Sequence, residues 1–259
     1  ACVHGAAGVT PTVAIWGDSH AAVLAAPLGD ALAPLGLALR ELSGSSCMPV
    51  TGVKNTALKR AEYCAVHNRL MLDHMLADRD LKVVVIFSYW NSYAEWRDFD
   101  NGIGFRMPDK LVALPLDAPE GMPDDARLAA LSAHMHADLA ALVAAGKRVI
   151  VLEPLPEPGY DLPDQIARRI WQGRPTSQVE SYPASAFDDY SRAARRMIAD
   201  AASGLPDVTL TDLSPLMCQN GQCHLVQDGK PLFFDGNHLS TAGSALIAPA
   251  LADVIAQAR

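Results

Sequence analysis

Short apolar runs alternate with longer stretches of helical periodicity along the whole chain. The short runs are nearly continuous in Val, Ile, Leu and Trp, which is typical of strands buried on both faces of a parallel sheet. The predicted strands span residues 12–16, 37–42, 82–88, 148–152 and 208–211. The predicted helices span residues 21–35, 57–77, 126–145, 185–202 and 241–258. This order predicts one α/β domain over residues 1–259, a three-layer α/β/α sandwich around a five-stranded parallel sheet.

The first predicted strand ends in a pattern that suits a nucleophile. Gly17 permits a sharp turn after the apolar run, and Ser19 then lies at the N-terminus of the next helix. Free backbone N–H groups and the helix dipole favour negative charge at this position. An oxyanion that forms beside Ser19 is therefore partly stabilised before any other group acts.

A serine hydroxyl needs a base, and the C-terminal region supplies one. Asp235 and His238 lie three residues apart on a turn, with Ser240 as the predicted N-cap of the last helix. Asp235 can hold one ring nitrogen of His238 while the other nitrogen faces Ser19. These residues predict a nucleophile, an orienting carboxylate and a general base in the chain order Ser, Asp, His.

The combination of Gly17-Asp18-Ser19 with Asp235-x-x-His238 resembles the SGNH (GDSL-like) hydrolase and acyltransferase superfamily over nearly the whole chain. Three details narrow the resemblance: Gly-Asp-Ser-His-Ala at residues 17–21, Trp90 just after the third strand, and Asp-x-x-His-Leu-Ser at residues 235–240. They are similar to the extracytoplasmic SGNH domain of acyltransferase-3 membrane proteins, which O-acetylate bacterial surface polysaccharides.

The resemblance also implies where the oxyanion donors lie. The superfamily uses a glycine after strand two, which corresponds to Gly44 here, and an asparagine after strand three. Because the third block has no glycine, either Trp90 or Asn91 occupies the asparagine position, and we favour Asn91. The alternatives are an ordinary loop glycine at Gly44 and a residue that caps the strand exit at Asn91.

Further expectations about partners follow from the same resemblance. It implies acyl transfer through an acyl-serine, without a bound cofactor or metal, to a carbohydrate acceptor. The acetyl group would originate from acetyl-CoA and cross the membrane through an upstream integral-membrane acyltransferase domain. The chain would then be part of a longer protein in the periplasm or another extracytoplasmic space, tethered to the bacterial inner membrane. A secreted carbohydrate acetylesterase, with water as acceptor, and a non-catalytic carbohydrate-binding module are the alternatives.

Composition excludes one class of partner and indicates a compartment. The net charge is -8 and the basic residues are scattered, so we expect no nucleic-acid partner. The spacings of Cys47 with Cys64 and of Cys218 with Cys223 permit disulfides, which form in oxidising compartments. Zinc binding is the competing interpretation, although no Cys-x-x-Cys pair occurs. Cys2 is left over.

Two segments, residues 93–125 and 154–183, break the strand-and-helix pattern and are rich in Pro, Gly and aromatic residues. Loops of this length are usually lids, binding walls or interaction surfaces. Five aromatic residues in or beside the first segment offer a sugar-stacking platform, but anchoring of the loop to the core is the favoured interpretation. They are Trp90, Tyr93, Trp96, Phe99 and Phe105. Residues 226–230 predict a small hairpin.

Overall fold

The computed structural model describes residues 2–95, 97–107 and 113–259. The strands are β1 (Val3–Gly5), β2 (Val13–Gly17), β3 (Ala38–Ser43), β4 (Val53–Asn55), β5 (Val83–Phe87), β6 (Phe99–Asp100), β7 (Arg106–Met107), β8 (Ala113–Pro115), β9 (Arg148–Leu152), β10 (Ser181–Pro183), β11 (Val208–Thr211), β12 (Cys218–Gln219), β13 (Gln222–His224), β14 (Val226–Gln227) and β15 (Lys230–Pro231). The helices are α1 (Ser19–Leu32), α2 (Tyr63–Ala77), α3 (Trp90–Ala94), α4 (Asp124–Ala144), α5 (Leu162–Trp171), α6 (Ala184–Ala202) and α7 (Thr241–Gln257). Short 3-10 helices cover Ala33–Leu35, Thr176–Val179 and Ser214–Leu216.

A six-stranded sheet in the order β1-β3-β2-β5-β9-β11 forms the centre of the fold. The five predicted strands are all present in it, and they are parallel to one another. The sequence analysis missed β1, which pairs antiparallel with β3 at the edge of the sheet. The α/β prediction is thus confirmed, whereas the sheet is mixed and has six strands. The β1 segment is short and Val3 is exposed, so no apolar run marks it in the sequence.

Helices cover both faces of the sheet, as a three-layer sandwich requires. Val13 and Ile15 of β2 pack in one apolar cluster with residues of α1 and α7. Ala14 and Trp16 belong to the opposite cluster, which includes residues of α2, α4 and α6. Because successive side chains of β2 alternate between two buried faces, its sequence is apolar throughout.

The two segments that were expected to be long loops contain additional short elements. The first begins within α3, the second holds α5, and both contain two- or three-residue strands. Trp90, Tyr93 and Phe99 are buried, which agrees with the core-anchoring interpretation and leaves no stacking platform at these three positions. Phe105 stacks on Tyr160 with ring centroids 4.1 Å apart. Trp96 lies outside the described residues.

Two disulfides have the predicted pairing. Cys47 and Cys64 join the loop after β3 to α2, and Cys218 and Cys223 join β12 to β13 across the strand pair. Cys2 is free and exposed. The predicted hairpin is also confirmed, since β14 and β15 pair antiparallel. Among the described residues, no helix has both the length and the apolar character that crossing a membrane needs.

Candidate active site

The candidate site lies where the order of strands in the sheet changes direction. Strand β2 lies between β3 and β5. After β2 the chain adds β3 on one side of it, and then β5, β9 and β11 on the other side. The connections that leave β2 and its neighbours diverge at this point and open a crevice at the carboxyl ends of the strands, where open α/β sheets bind ligands. Ser19 follows β2 directly and is the first residue of α1.

Local backbone chemistry fixes the turn that presents Ser19. A Cβ atom at Gly17 would lie 1.7 Å from the carbonyl oxygen of Phe87, so only glycine fits between the ends of β2 and β5. Asp18 is the N-cap of α1, and its side chain accepts a 2.8 Å hydrogen bond from the His20 N–H. The Ser19 N–H therefore lies in the first helical turn, where backbone amides have no partner within the helix.

The structure brings Ser19, His238 and Asp235 into one hydrogen-bonded chain. The Nδ1 of His238 lies 2.8 Å from Asp235 Oδ2, and its Nε2 lies 2.7 Å from Ser19 Oγ. Because an ionised carboxylate only accepts, Nδ1 carries the proton and Nε2 accepts from the serine hydroxyl. Asp235 Oδ1 also accepts from the backbone N–H groups of Asn237 and His238. Burial raises the pKa of Asp235, but the hydrogen bonds from His238 and Asn237 outweigh it and lower that pKa to about 2.

The His238 ring stacks against neighbouring rings, one of which packs on a further buried ring. The His20 ring lies 4.6 Å from the His238 ring and 4.6 Å from the Tyr89 ring, and it is nearly parallel to both. Phe234 stacks on His238 at 5.3 Å and is itself half exposed. The orientation of the His238 imidazole is thus held by ring packing as well as by the Asp235 hydrogen bond.

Asp18 is a fully buried carboxylate that joins α1 to the exit of β5. Its Oδ2 accepts hydrogen bonds from Ser88 Oγ at 2.8 Å, the Tyr89 N–H at 3.0 Å and the Tyr93 hydroxyl at 3.0 Å. Burial raises the pKa of Asp18, but the His20 side chain and the backbone hydrogen bonds from Tyr89 and His20 lower it overall. Asp18 therefore holds the first turn of α1 and the backbone after β5 together beside Ser19.

Gly44 lies at the same edge of the sheet, but its N–H is already used. It donates a 2.9 Å hydrogen bond to the Gly17 carbonyl, which extends the pairing between β2 and β3. A Cβ at Gly44 would lie 2.5 Å from the His67 ring, so packing accounts for this glycine. The geometry does not support Gly44 as an oxyanion donor, and it fits the ordinary loop-glycine alternative.

Trp90 and Asn91 both line a small cavity beside the Ser19 turn. The Trp90 indole N–H donates to the Leu152 carbonyl at 2.8 Å, so this ring anchors α3 to the end of β9. The Asn91 Nδ2 donates to both carboxyl oxygens of Glu157, at 3.0 and 3.1 Å. Asn91 is therefore placed near the site, with its amide nitrogen bound to another side chain.

Sequence reasoning missed three residues that the fold brings to this site. Glu157 was not considered; its signal was an acidic residue between two prolines in the segment that follows β9 at the same edge of the sheet. Phe234 and Asn237 were passed over as neighbours of the Asp-x-x-His pattern. His20, which follows Ser19, stacks between Tyr89 and His238.

The three-layer fold with a serine at its switch point and an Asp-x-x-His loop before the last helix is that of an SGNH-type domain. A family model described as the SGNH domain fused to AT3 domains matches residues 1–253. The chain belongs to this family, within a superfamily whose enzymes transfer or hydrolyse acyl groups. No curated protein matches the sequence.

Solved structures share the fold at low sequence identity. The periplasmic domain of the lipopolysaccharide acetyltransferase of Salmonella ser. Paratyphi A is 14% identical with a TM-score of 0.62, over 95% of this chain and 84% of that chain. A GDSL-like lipase from Bacteroides thetaiotaomicron is 13% identical with a TM-score of 0.52, over 95% of this chain and 88% of that chain. A putative acylhydrolase from Bacteroides fragilis is 11% identical with a TM-score of 0.51, over 98% of this chain and 91% of that chain.

Proposed function

We propose that this chain is an O-acyltransferase domain that passes an acetyl group to a carbohydrate through an acyl-serine. Ser19 is the nucleophile, His238 the general base and then acid, and Asp235 the carboxylate that orients the imidazole. The observation that carries the proposal is the continuous hydrogen-bonded chain from Ser19 Oγ through His238 to Asp235 at the N-terminus of α1.

The chemistry follows from the geometry of these three side chains. Ser19 Oγ attacks the acyl carbon of the donor while its proton moves to His238 Nε2, and the resulting imidazolium is stabilised by Asp235. The same proton then goes to the leaving group, which departs as the acyl-serine forms. In the second half, the acceptor hydroxyl gives its proton to His238 and attacks the acyl-serine, and Ser19 recovers its proton from His238.

The developing oxyanion needs hydrogen-bond donors. The Ser19 N–H in the first turn of α1 is one of them, supported by the positive end of the helix dipole. The Asn91 amide is the second proposed donor, which requires one of its N–H groups to leave the carboxyl group of Glu157. Gly44 is the weakest of the three candidate oxyanion donors, because its N–H already donates to the Gly17 carbonyl.

The acceptor and the compartment are proposed from the family and from the cysteines. The family is defined by fusion to AT3 domains, which supports an integral-membrane partner domain as the source of the acetyl group, ultimately from acetyl-CoA. Two disulfides support an oxidising, extracytoplasmic location such as the periplasm. We therefore propose a surface polysaccharide as the acceptor. A secreted acetylesterase would use the same acyl-serine with water as the acceptor.

Hydrolysis of a chromogenic acetyl ester tests the shared first half of the reaction. Ser19→Ala should lower turnover at least about a hundredfold, because the proposed acyl-serine can no longer form. Ser43→Ala is the matched control: it removes a hydroxyl from the same edge of the sheet, where Ser43 bonds to Glu41. Activity in Ser19→Ala equal to that of the wild type would show that Ser19 is not the nucleophile.

A further inference from the structure

A small cavity is lined by residues that neighbour Ser19 and His238 in the chain. Its volume is about 20 Å³, which is room for one water-sized group. The wall includes His20 and Asn237, the chain neighbours of the two reacting residues, together with Asn91 and Glu157. The cavity therefore places the proposed donor Asn91 beside Glu157, a buried carboxyl group that the proposed mechanism leaves without a role.

Several buried polar atoms of this wall have no hydrogen-bond partner. They include Asn91 Oδ1, Asn237 Oδ1 and His20 Nε2. The other ring nitrogen of His20, Nδ1, lies 3.4 Å from Asp18 Oδ1. Because buried polar atoms in proteins are almost always hydrogen-bonded, a concentration of unpartnered ones in one cavity indicates a polar group that binds there during function.

Glu157 holds one end of the Asn91 amide. Both residues are almost completely buried, and Asn91 Nδ2 lies 3.0 and 3.1 Å from the two Glu157 oxygens. In the described part of the chain, no Lys, Arg or His forms an ion pair with Glu157. Burial raises the pKa of Glu157 to about 7, and the Asn91 hydrogen bond offsets this only in part.

We infer that Glu157 is a positioning residue that sets the orientation of the Asn91 amide, and thereby decides whether Asn91 offers the acyl group beside Ser19 a hydrogen-bond donor. This inference rests on the proposed function. It assigns to Glu157 an action through Asn91, without contact between Glu157 and the reacting atoms.

The two protonation states of Glu157 bind the amide differently. A carboxylate has only acceptors, so it attracts the amide hydrogens and leaves Asn91 Oδ1 without a partner, as the structure has it. A protonated Glu157 donates its O–H to Oδ1 and accepts one N–H in return, which releases the second N–H of the amide. A donor at this position stabilises an oxyanion, whereas a carbonyl oxygen repels it. The protonated form is therefore the active form.

The two phenols around Glu157 stay in one charge state. Tyr182 of β10 and Tyr190 of α6 interact electrostatically with Glu157, and burial raises the pKa of both phenols further from neutrality. His20 of α1 shares the cavity and stacks against His238. Both phenols therefore remain neutral near pH 7, and His20→Phe tests whether the His20 ring contributes to the pH profile.

The test is the pH profile of acetyl-ester hydrolysis between pH 5 and 9. Wild-type activity should fall towards alkaline pH as Glu157 ionises. Glu157→Gln should abolish the fall, because a glutamine amide can donate to Asn91 Oδ1 at every pH. The ratio of Glu157→Gln activity to wild-type activity should then rise at least about tenfold towards pH 9, since losing one oxyanion donor costs about 100-fold or more.

Two further variants separate this role from a structural one. Glu153→Gln changes a glutamate of the same loop, which pairs with Arg195 away from the cavity, and it should keep the wild-type profile. Asn91→Ala removes the amide on which Glu157 acts, so it should lower activity and also abolish the alkaline fall. This second variant keeps the test valid if Glu157→Gln does not fold. In an Asn91→Ala background, Glu157→Gln should change nothing further.

Each outcome decides the inference. An alkaline fall that persists in Glu157→Gln or in Asn91→Ala overturns it, and so does a fall that His20→Phe alone removes. If activity depends on Ser19 while the profiles are unchanged, only the Glu157 inference fails. If activity does not depend on Ser19, the proposed function fails and this inference fails with it.

Discussion

At the scale of single residues, the imidazole of His238 is fixed by contacts of two kinds. Hydrogen bonds hold its two nitrogens to Asp235 and Ser19. Ring stacking with His20 and Phe234 restricts its tilt. A base that is already aligned loses little orientational freedom when the reaction begins, which is one source of catalytic rate.

Asp235→Asn should lower esterase turnover roughly a thousandfold or more, because an amide at this position no longer fixes the Nδ1–H tautomer of His238. The asparagine variant should keep a native far-UV spectrum. Asp228→Asn in the β14–β15 turn is the control, because Asp228 has a positive φ of 50° that asparagine tolerates. Equal activity of the Asp235→Asn variant and the wild type would contradict the orienting role.

Glu157 should make the stability of the protein, as well as its activity, depend on pH. Its pKa is raised from 4.5 to about 7 in the folded state, so its contribution to stability is fully present below pH 4.5 and is lost as pH rises through 7. The size of this loss is about 3 kcal/mol. Urea unfolding of the wild type at pH 4.5 and pH 8 should show it, and the same comparison in Glu157→Gln should not. An equal pH dependence in both proteins would contradict the raised pKa.

The sequence predicted the three residues that have local signatures and missed those defined by tertiary contact. Ser19 has a strand-turn-helix context, and Asp235 and His238 have a fixed spacing before a capped helix. Glu157 has no such context, because its burial depends on packing against Asn91 after β5. The hydrogen bond from the Gly44 N–H to the Gly17 carbonyl likewise depends on the register of β2 with β3, which sequence alone does not give.

At the scale of elements, the parallel strands of the central sheet were the easiest to predict. Apolar, β-rich runs gave β9 and β11 with their observed bounds, and β2, β3 and β5 within one residue at each end, although β11 is only partly buried. The short helix α3 has too few residues to show a period. In α5, the N-cap Asp161 and Pro163 did signal a helix start, but the abundance of Pro and Gly nearby favoured a loop interpretation.

The N-cap of α1 should matter more to stability than that of another helix. Asp18→Asn replaces a buried carboxylate that accepts bonds from α1, the exit of β5 and α3, so several donors lose a charged partner. We expect a loss of roughly 2–4 kcal/mol, because hydrogen bonds to buried charges are stronger than neutral ones. Thermal and urea unfolding at pH 7 measure it.

Asp161→Asn provides the matched control for that substitution. Asp161 is the N-cap of α5 and accepts an exposed hydrogen bond from the Asp164 N–H. Asparagine caps helices about as well as aspartate, so this change should cost only a few tenths of a kcal/mol. If the two variants lose the same stability, Asp18 acts as an ordinary cap and does not join the elements around Ser19.

At the scale of the whole molecule, the site is an assembly of distant segments. Ser19 and His238 are 219 residues apart in sequence, yet their side chains form a hydrogen bond. The parallel sheet makes this possible, because it brings the exits of β2, β5 and β9 to one edge while α7 returns beside α1. The topology could be predicted from the alternation of strands and helices, and from it the convergence of these segments, but not the contacts within the cavity.

The proposed function predicts that cells that express this chain with its proposed membrane domain add acetyl groups to a surface glycan. On this proposal an acetyl group passes from Ser19 to a sugar hydroxyl, so Ser19→Ala should remove the acetylation, since the acyl-serine no longer forms. The measurement is the acetyl content of the surface glycan by NMR in strains that carry the wild-type, Ser19→Ala or Ser43→Ala full-length protein. Wild type and Ser43→Ala should show equal acetylation. Less acetylation with the wild type than with Ser19→Ala would reverse the direction of the reaction and identify the chain as a deacetylase.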